Sequence, residues 1–284
     1  LTAYTQRTAP PPAMAELNVL AVGDGQCVVL RTPSGKTFII DAGTRNSTDV
    51  AGRILEPFIL RQRLPEPTAA FVSHANTDHY NALPSLDGLQ QIYVNDDFPD
   101  LAMSKNSPDS GLVAAGLMLN ELQTSGVKVV RICAGMKIAL DERTFVEVVW
   151  PPALPDRKIN FKDINDTSLV LRITCDGQRV ILPGDVDTVA QAALALDPSA
   201  LQADVMLLPH HGSWRPTVPG FVKAVNPRHI ISSNSYEFRA PAGIAAAREF
   251  FTQLHTGRLF YSTAHNGWIK VKFGGGMVEV QTMR

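Results

Sequence analysis

The sequence predicts a mixed α/β (α+β) fold in which two β-sheets pack together with helices on the outside. Three observations predict it. Short apolar, β-branched runs recur along all 284 residues. Helical stretches with recognisable starts and stops occur in both halves. Strands and helices do not alternate in the regular βαβα manner of a doubly wound sheet. With 45% hydrophobic and 19% charged residues, the chain has the composition of a folded core and not that of a disordered polymer. No low-complexity linker divides it. Residues 16–284 are therefore expected to form one domain of two β-rich halves, after an extended arm over 1–15 marked by Pro10, Pro11 and Pro12.

The elements follow in order. LNVLAV, CVVLRT and KTFIIDAG read as strands broken by GDG and PSG, the last ending on Asp41-Ala42-Gly43. Asn46 or Ser47 is placed to cap a helix through Val50, Ile54, Phe58 and Ile59, which Pro57 strains. TAAFVSH is a buried strand that delivers His74 at its end, and QIYVND is another. Asp109 to Ser125 reads as a helix stopped by Gly126. VKVVRIC, MKIAL and FVEVVWP form a three-strand run. SLVLRITC and QRVILPGD flank Asp176-Gly177, a strong hairpin signal. A helix is expected over Asp187–Leu196, then the strands ADVMLLPHHGS and RHIISSN. PAGIAAAREFFTQL reads as a helix with proline in its first turn, and RLFYST, GWIKVKF and GMVEVQ close the chain as strands.

Composition excludes several function classes. Formal net charge is −1, without the basic excess that a general nucleic-acid binder carries, so any polyanion contact must be local. Arg157, Lys158 and Lys162 are one candidate patch; Arg215 and Arg239 suggest another. No apolar run approaches the ~20 residues of a bilayer-spanning helix, and no membrane partner is expected. Cys27, Cys133 and Cys175 are odd in number and lack paired spacing, which reads as small buried hydrophobes in a reducing compartment. The start, LTAYTQRTAPPPAMAE, lacks the basic-then-apolar pattern of a secretory signal. A cytoplasmic location is the expectation.

Three apolar strands end in polar residues that suit a metal. TAAFVSH leads to His74, Asp78 and His79; RVILPGD leads to Asp185; DVMLLPHHG leads to His210 and His211. A buried strand fixes its terminal residue while the following loop admits a ligand. Imidazole nitrogen and carboxylate oxygen favour zinc, manganese or iron over calcium. The spacing of His74 from the Asp78–His79 pair suits two metals ~3.5–4 Å apart, with Asp185 as the shared carboxylate. Each motif alone has a structural explanation, such as a hydrogen-bonded histidine or a plain turn. Three of them after three separate strands argue against coincidence.

These segments resemble the metallo-β-lactamase superfamily, whose signature is HxHxDH, then an Asp in a GD turn, then a His after another strand. Within it the chain is similar to the soluble domain of ComEC-type DNA-uptake competence proteins and its free-standing relatives. The resemblance runs through VGDGQCVVLRTPSGKTFIIDAG, SHANTDHYNAL, NDTSLVLRITCDGQRVILPGDV, ADVMLLPHHGS and HNGWIKV. It implies a four-layered αββα sandwich with the metal site at one edge between the sheets. It implies His74 on a first metal, Asp78 and His79 on a second, Asp185 bridging, and one of His210 and His211 completing the second. On extended backbone neighbouring side chains point apart, so His210 is expected as the ligand and His211 as a donor to the substrate. Asp41 would orient a ligand imidazole.

The chain departs from the pattern in four places. Asn76 stands where superfamily members often have His and this branch often has Asp, and Asn165 stands roughly where a further histidine would be. The first metal would thus keep His74, the shared Asp185 and two amide oxygens, so one tight and one labile ion are expected. Gln26 replaces the Asp of VGxGD, and Ala240-Pro241 replaces a His-Pro, leaving Tyr236 and Arg239 as donors. One or two divalent ions are expected, zinc or manganese, with magnesium a further candidate.

The expected chemistry is hydrolysis by a metal-activated hydroxide, oriented by Asp78 or Asp185, with His211 and Arg215 as donors. The leading expectation, implied by the resemblance, is a phosphodiesterase or nuclease whose substrate is a phosphodiester, nucleic acid included. The alternatives are a hydrolase of a small ester, lactone or amide, and a metal-poor non-catalytic binding domain.

Overall fold

The computed structural model describes residues 8–105, 107–156, 161, 163–213, 216–234, 252–254 and 256–283. Among the described residues, two sheets hold fifteen strands. The first contains β1 (Ala15–Val19), β2 (Cys27–Arg31), β3 (Thr37–Ala42), β4 (Ala69–Phe71), β5 (Gln91–Val94), β6 (Lys128–Arg131), β14 (Trp268–Gly274) and β15 (Met277–Met283). Its order is β15-β14-β1-β2-β3-β4-β5-β6. The second contains β7 (Lys137–Ala139), β8 (Thr144–Trp150), β9 (Val170–Cys175), β10 (Gln178–Leu182), β11 (Val205–Leu207), β12 (His229–Ser232) and β13 (Leu259–Ser262). Its order is β13-β12-β11-β10-β9-β8-β7.

Side-chain alternation explains the layering. In β2, Val28 and Leu30 join one apolar cluster and Cys27 and Val29 another; in β3, Phe38 and Ile40 part from Ile39. In β10 and β11, Val180, Leu182, Val205 and Leu207 join the first of these clusters, while Ile181 and Met206 face a third. The shared cluster is the core between the sheets. Outside the first sheet lie α1 (Glu56–Gln62), α2 (Thr77–Tyr80), α3 (Leu101–Ser104) and α4 (Ser110–Thr124). Outside the second lie α5 (Thr188–Leu194), α6 (Pro198–Leu201) and α7 (Pro219–Val225). Tyr80, Met118 and Leu119 cover the first outer face, and Ala190, Phe221 and Val222 the second. The result is the four-layered αββα sandwich. Each fully buried Val, Leu, Ile or Phe contributes ~1.5–3 kcal/mol, so strands buried on both faces anchor the residues at their ends.

Two sequence expectations change. The halves are not consecutive: the C-terminal hairpin β14–β15 pairs with β1 and completes the first sheet, Val271 lying opposite Leu17. The run VKVVRIC-MKIAL-FVEVVWP is also split, with β6 in the first sheet and β7 and β8 in the second. Strand periodicity identifies such strands but carries no information on which sheet receives them. The helix expected through Val50 begins with a π-helical turn over Ala51–Leu55, where Asp49 Oδ1 accepts from the Gly52 amide at 3.0 Å, and continues without a break as α1, with Pro57 inside the helical run. Asp109 and Asp187 cap α4 and α5 through their carboxylates. The Asp176-Gly177 hairpin forms with φ of 48° and 92°. The expected helix over PAGIAAAREFFTQL lies largely outside the described residues, as do Arg157, Lys158, Lys162, Arg215, Tyr236, Arg239, Ala240 and Pro241.

Candidate metal centre

Strand direction places the centre. β3 runs parallel to β4, and β10 runs parallel to β11 and, through it, to β12. The residues after β4, β10 and β11 therefore emerge at carboxyl ends, where open α/β sheets leave a crevice. After β4 come Ser73 and His74, then α2 with Asp78 and His79. After β10 comes Gly184-Asp185. After β11 a short 3₁₀ turn, Pro209–Gly212, carries His210 and His211.

Glycines permit the close approach. A Cβ on Gly43 would stand 2.5 Å from the carbonyl carbon of Asp78 and 2.6 Å from the His79 nitrogen, so only glycine lets α2 seat against the end of β3. Gly184, at φ 57°, fits between the Cβ atoms of Ser73 and Ser168, 2.8 and 2.9 Å from where its own Cβ would be. The Leu169 amide donates to the Ser73 carbonyl at 2.8 Å, tying the two sheets together beneath the site.

A buried network orients His79. Its Nδ1 lies 2.9 Å from Asp41 Oδ2 and 3.1 Å from Ser73 Oγ. Asp41, at φ 53°, also accepts from the Ser73 amide at 2.7 Å, the Ser73 hydroxyl at 2.9 Å and Gln26 Nε2 at 2.8 Å. With Nδ1 held by a carboxylate, Nε2 faces the centre, which is the orientation a metal-binding imidazole needs.

Four residues converge there. Asp78, His79, Asp185 and His211 each offer one donor atom, all within 4.8 Å of one another. His79 Nε2 stands 3.3 Å from Asp185 Oδ2, and His211 Nε2 stands 3.4 Å from both Asp185 Oδ2 and Asp78 Oδ2. Neither imidazole nitrogen is aligned to hydrogen-bond these carboxylates. The atoms point toward a shared space instead of toward each other. Donors ~2.1 Å from a tetrahedral ion lie about 3.4 Å apart, so the spacing and the donor set both fit a divalent cation. Among the buried polar atoms without a hydrogen-bond partner are also His74 Nε2, Asp185 Oδ1 and His210 Nε2. Leaving so many buried groups uncompensated would cost several kcal/mol, which a bound ion would offset.

Charge follows from this packing. Burial opposes protonation of His79, but Asp185 and Asp41 outweigh it and hold its pKa well above the usual range. Burial likewise opposes the charge on His211, yet Asp185 and Asp78 raise it to about 9. Burial works against ionisation of Asp78 and Asp185 as well. His211 and His79 overcome it and keep both carboxyls ionised. His74 goes the other way: burial, reinforced by the neighbouring His79, pushes it down to about 3. Its ring centroid is 4.3 Å from that of His79.

The structure distinguishes the two adjacent histidines. His211 joins the four-residue group, whereas His210 Nδ1 reaches only to 3.7 Å from Asp185 Oδ2. The alternation argument that favoured His210 needs extended backbone. Both residues instead adopt left-handed conformations, φ 49° and 56°, so their side chains do not simply point apart. Asn76 and Asn165 do meet, but with each other: Asn76 Nδ2 donates to Asn165 Oδ1 at 2.9 Å. That bond occupies one of the two amide oxygens expected to serve a first metal.

Sequence reasoning missed three contributors. Ser73 bridges Asp41, His74 and His79, and no pattern separates it from an ordinary strand-end serine. Gln26, noted only as a departure, supports Asp41. Arg45 brings Nε to 2.8 Å from Asp78 Oδ2 while its side chain stays 64% exposed. A lone cation just after the strand-end Asp-Ala-Gly was the available signal for it.

Comparison with known proteins agrees with this architecture. A model of the metallo-beta-lactamase superfamily matches residues 20–93, which include Asp41, His74, Asp78 and His79. Competence protein ComA of Neisseria gonorrhoeae is 29% identical over 133 residues, 46% of this chain and 18% of that protein. ComE operon protein 3 of Bacillus subtilis strain 168 is 22% identical over 234 residues, 77% of this chain and 28% of that protein. The chain thus matches less than a third of the length of either relative. Among solved structures, a mutant of CmlA beta-hydroxylase superposes with a TM-score of 0.54 at 15% identity, over 93% of this chain and 55% of that one. A metallo hydrolase from the archaeon Ignicoccus hospitalis superposes with a TM-score of 0.51 at 12% identity, over 95% of this chain and 100% of that one. Among the described residues, no helix is long and apolar enough to cross a membrane.

Proposed function

We propose that this chain, which has the metallo-β-lactamase fold and resembles competence proteins of that superfamily, is a metal-dependent phosphodiesterase acting on nucleic acid. The convergence of Asp78, His79, Asp185 and His211 on one point, with an arginine at the rim, carries the reading. A divalent ion held by these four residues would acidify a water and neutralise charge developing on the attacked phosphorus. Asp185 turns Oδ2 toward the group, leaves Oδ1 buried without a hydrogen-bond partner and acts on His74 more strongly than Asp78 does, so it would be able to serve a second ion beside His74. Asp41, Ser73 and Gln26 hold His79 in its tautomer and orientation. His210, which stands just outside the four-residue group, is the imidazole left to exchange a proton with the departing oxygen. Arg45 offers its exposed guanidinium to a non-bridging phosphate oxygen. The CmlA likeness shows that this fold also occurs in a beta-hydroxylase, so the phosphodiester assignment rests on the chain's own residues and on the competence-type motifs.

The test is hydrolysis of bis-p-nitrophenyl phosphate and of fluorescent DNA and RNA oligonucleotides with manganese, zinc or magnesium added. Phosphodiester turnover is expected, together with a loss greater than ~10²-fold in Asp185→Ala, beyond the range seen when only a supporting partner of a ligand is removed. Ester or lactone turnover without any phosphodiester turnover would refute the assignment.

A further inference from the structure

A groove of about 340 Å³ lies beside α1, outside the centre. Phe58 and Trp268 form part of its wall and meet edge to face, with ring centroids 4.6 Å apart at 76°; both are half-buried. Arg53 and Arg61 stand on its rim, both exposed, and no carboxylate lines it among the described residues. Arg53 has one acidic neighbour, Asp49, at 3.6 Å, in a pair exposed on both sides that contributes little. Lys270 Nζ lies 5.7 Å from the Trp268 ring and 3.7 Å from Glu16.

The other side of α1 offers a control within the same molecule. A groove of about 720 Å³ there is lined by Glu56, Glu66 and Asp87 against a single cation, Arg63. It would repel a polyanion. The smaller groove pairs two cations with two aromatic side chains, the residue types that hold single-stranded nucleic acid through phosphate contacts and base stacking.

One loop joins this groove to the centre. Leu20 and Ala21 line the groove, and Gln26, at the other end of the loop, donates its backbone N–H to the Asp78 carbonyl at 3.1 Å and its side chain to Asp41. Midway, the Asp24 carbonyl accepts from the Arg45 amide at 2.8 Å. Ala21 and Asp24 are three residues apart, at most ~11 Å. A strand with one phosphodiester at the centre would follow this short loop past Arg45 to the groove.

We infer that the groove edged by Arg53, Arg61, Phe58 and Trp268 is a docking track for single-stranded nucleic acid leading to the metal centre. The inference rests on the phosphodiesterase reading, and its test separates the two. Binding of a fluorescein-labelled oligothymidylate is measured by anisotropy in chelator, where no cleavage occurs, across a salt series. Arg53→Glu combined with Arg61→Glu, both exposed and outside the catalytic machinery, is expected to weaken binding at least about tenfold. It should also flatten the salt dependence by about 1.4, at ~0.7 per lost phosphate contact. With manganese, the double variant should raise KM for the oligonucleotide and leave turnover of bis-p-nitrophenyl phosphate unchanged. A conservative Trp268→Phe should retain most of the binding. Oligonucleotide binding and cleavage that the double variant leaves unchanged would overturn the track and spare the phosphodiesterase reading. Binding that the variant abolishes, in a protein that cleaves no phosphodiester, would support the track and overturn that reading. Absence of binding in the unmodified protein would overturn the track.

Discussion

The two sides of the centre are built differently. On one side Asp78, His79, Asp185 and His211 present donor atoms into a common space, and a buried carboxylate steers His79 from behind. On the other, His74 stands with its Nε2 unpartnered, while Asn76 and Asn165 are joined to each other by a hydrogen bond. The first arrangement stores unmet coordinating capacity. The second uses part of its capacity internally, and an ion there would compete with an amide–amide bond for the Asn165 oxygen. Donor count alone therefore misjudges a metal site; whether each donor is already engaged matters as much.

The sharpest way to break this comparison is to remove one imidazole from each side. His79→Ala is expected to lower the affinity of the tighter ion by more than ~10²-fold, while His74→Ala should act mainly on the weaker one. Titration calorimetry with zinc and manganese reads both. Equal losses from the two variants would show that the sides do not differ.

Acidity gives a smaller test. In the metal-free protein His211 has a folded-state pKa of about 9 against an ordinary value of 6.5. The resulting stabilisation, on the order of 3 kcal/mol, is fully present below about pH 6.5 and is lost as pH rises through 9. The shift of His79 has the same sign. Asp78 and Asp185 are depressed, so their contribution is present above the ordinary carboxylate range and disappears only in strong acid. Thermal melts in chelator should therefore decline between pH 6.5 and 9. Bound zinc needs neutral imidazoles, so with zinc the dependence should reverse over that window. A metal-free Tm that rises through it would contradict the charge assignment.

The smallest expected effect comes from Asn76→Asp. It replaces an engaged amide with a carboxylate and should tighten the weaker ion roughly tenfold, about 1.4 kcal/mol, bringing the two affinities closer. Unchanged calorimetric stoichiometry and affinity would mean that Asn76 lies outside the coordination sphere.

Much of this was legible in the sequence because strand ends are. The β-branched runs before His74, Asp185 and His210 fixed where those residues emerge, and the Asp176-Gly177 turn fixed the pairing of β9 with β10. What stayed hidden depended on contacts between remote segments. Strand pattern could not reveal that β14 and β15 return to pair beside β1. Spacing could not show that His210 and His211 both turn left-handed, because that conformation is set by the surrounding loops and not by histidine itself. Ser73 meets Asp41, and Arg45 meets Asp78, each more than thirty residues away in sequence.

Gly184 leads to a mechanical consequence. It allows Asp185 to reach across from the second sheet to Asp78 and His79 on the first. An ion gripped there would act as a rivet through the seam of the sandwich, so that chelation should loosen the whole molecule as well as silence it. Amide exchange in β4 and β10, on opposite plates of the sandwich, should then slow together as the ion is added back.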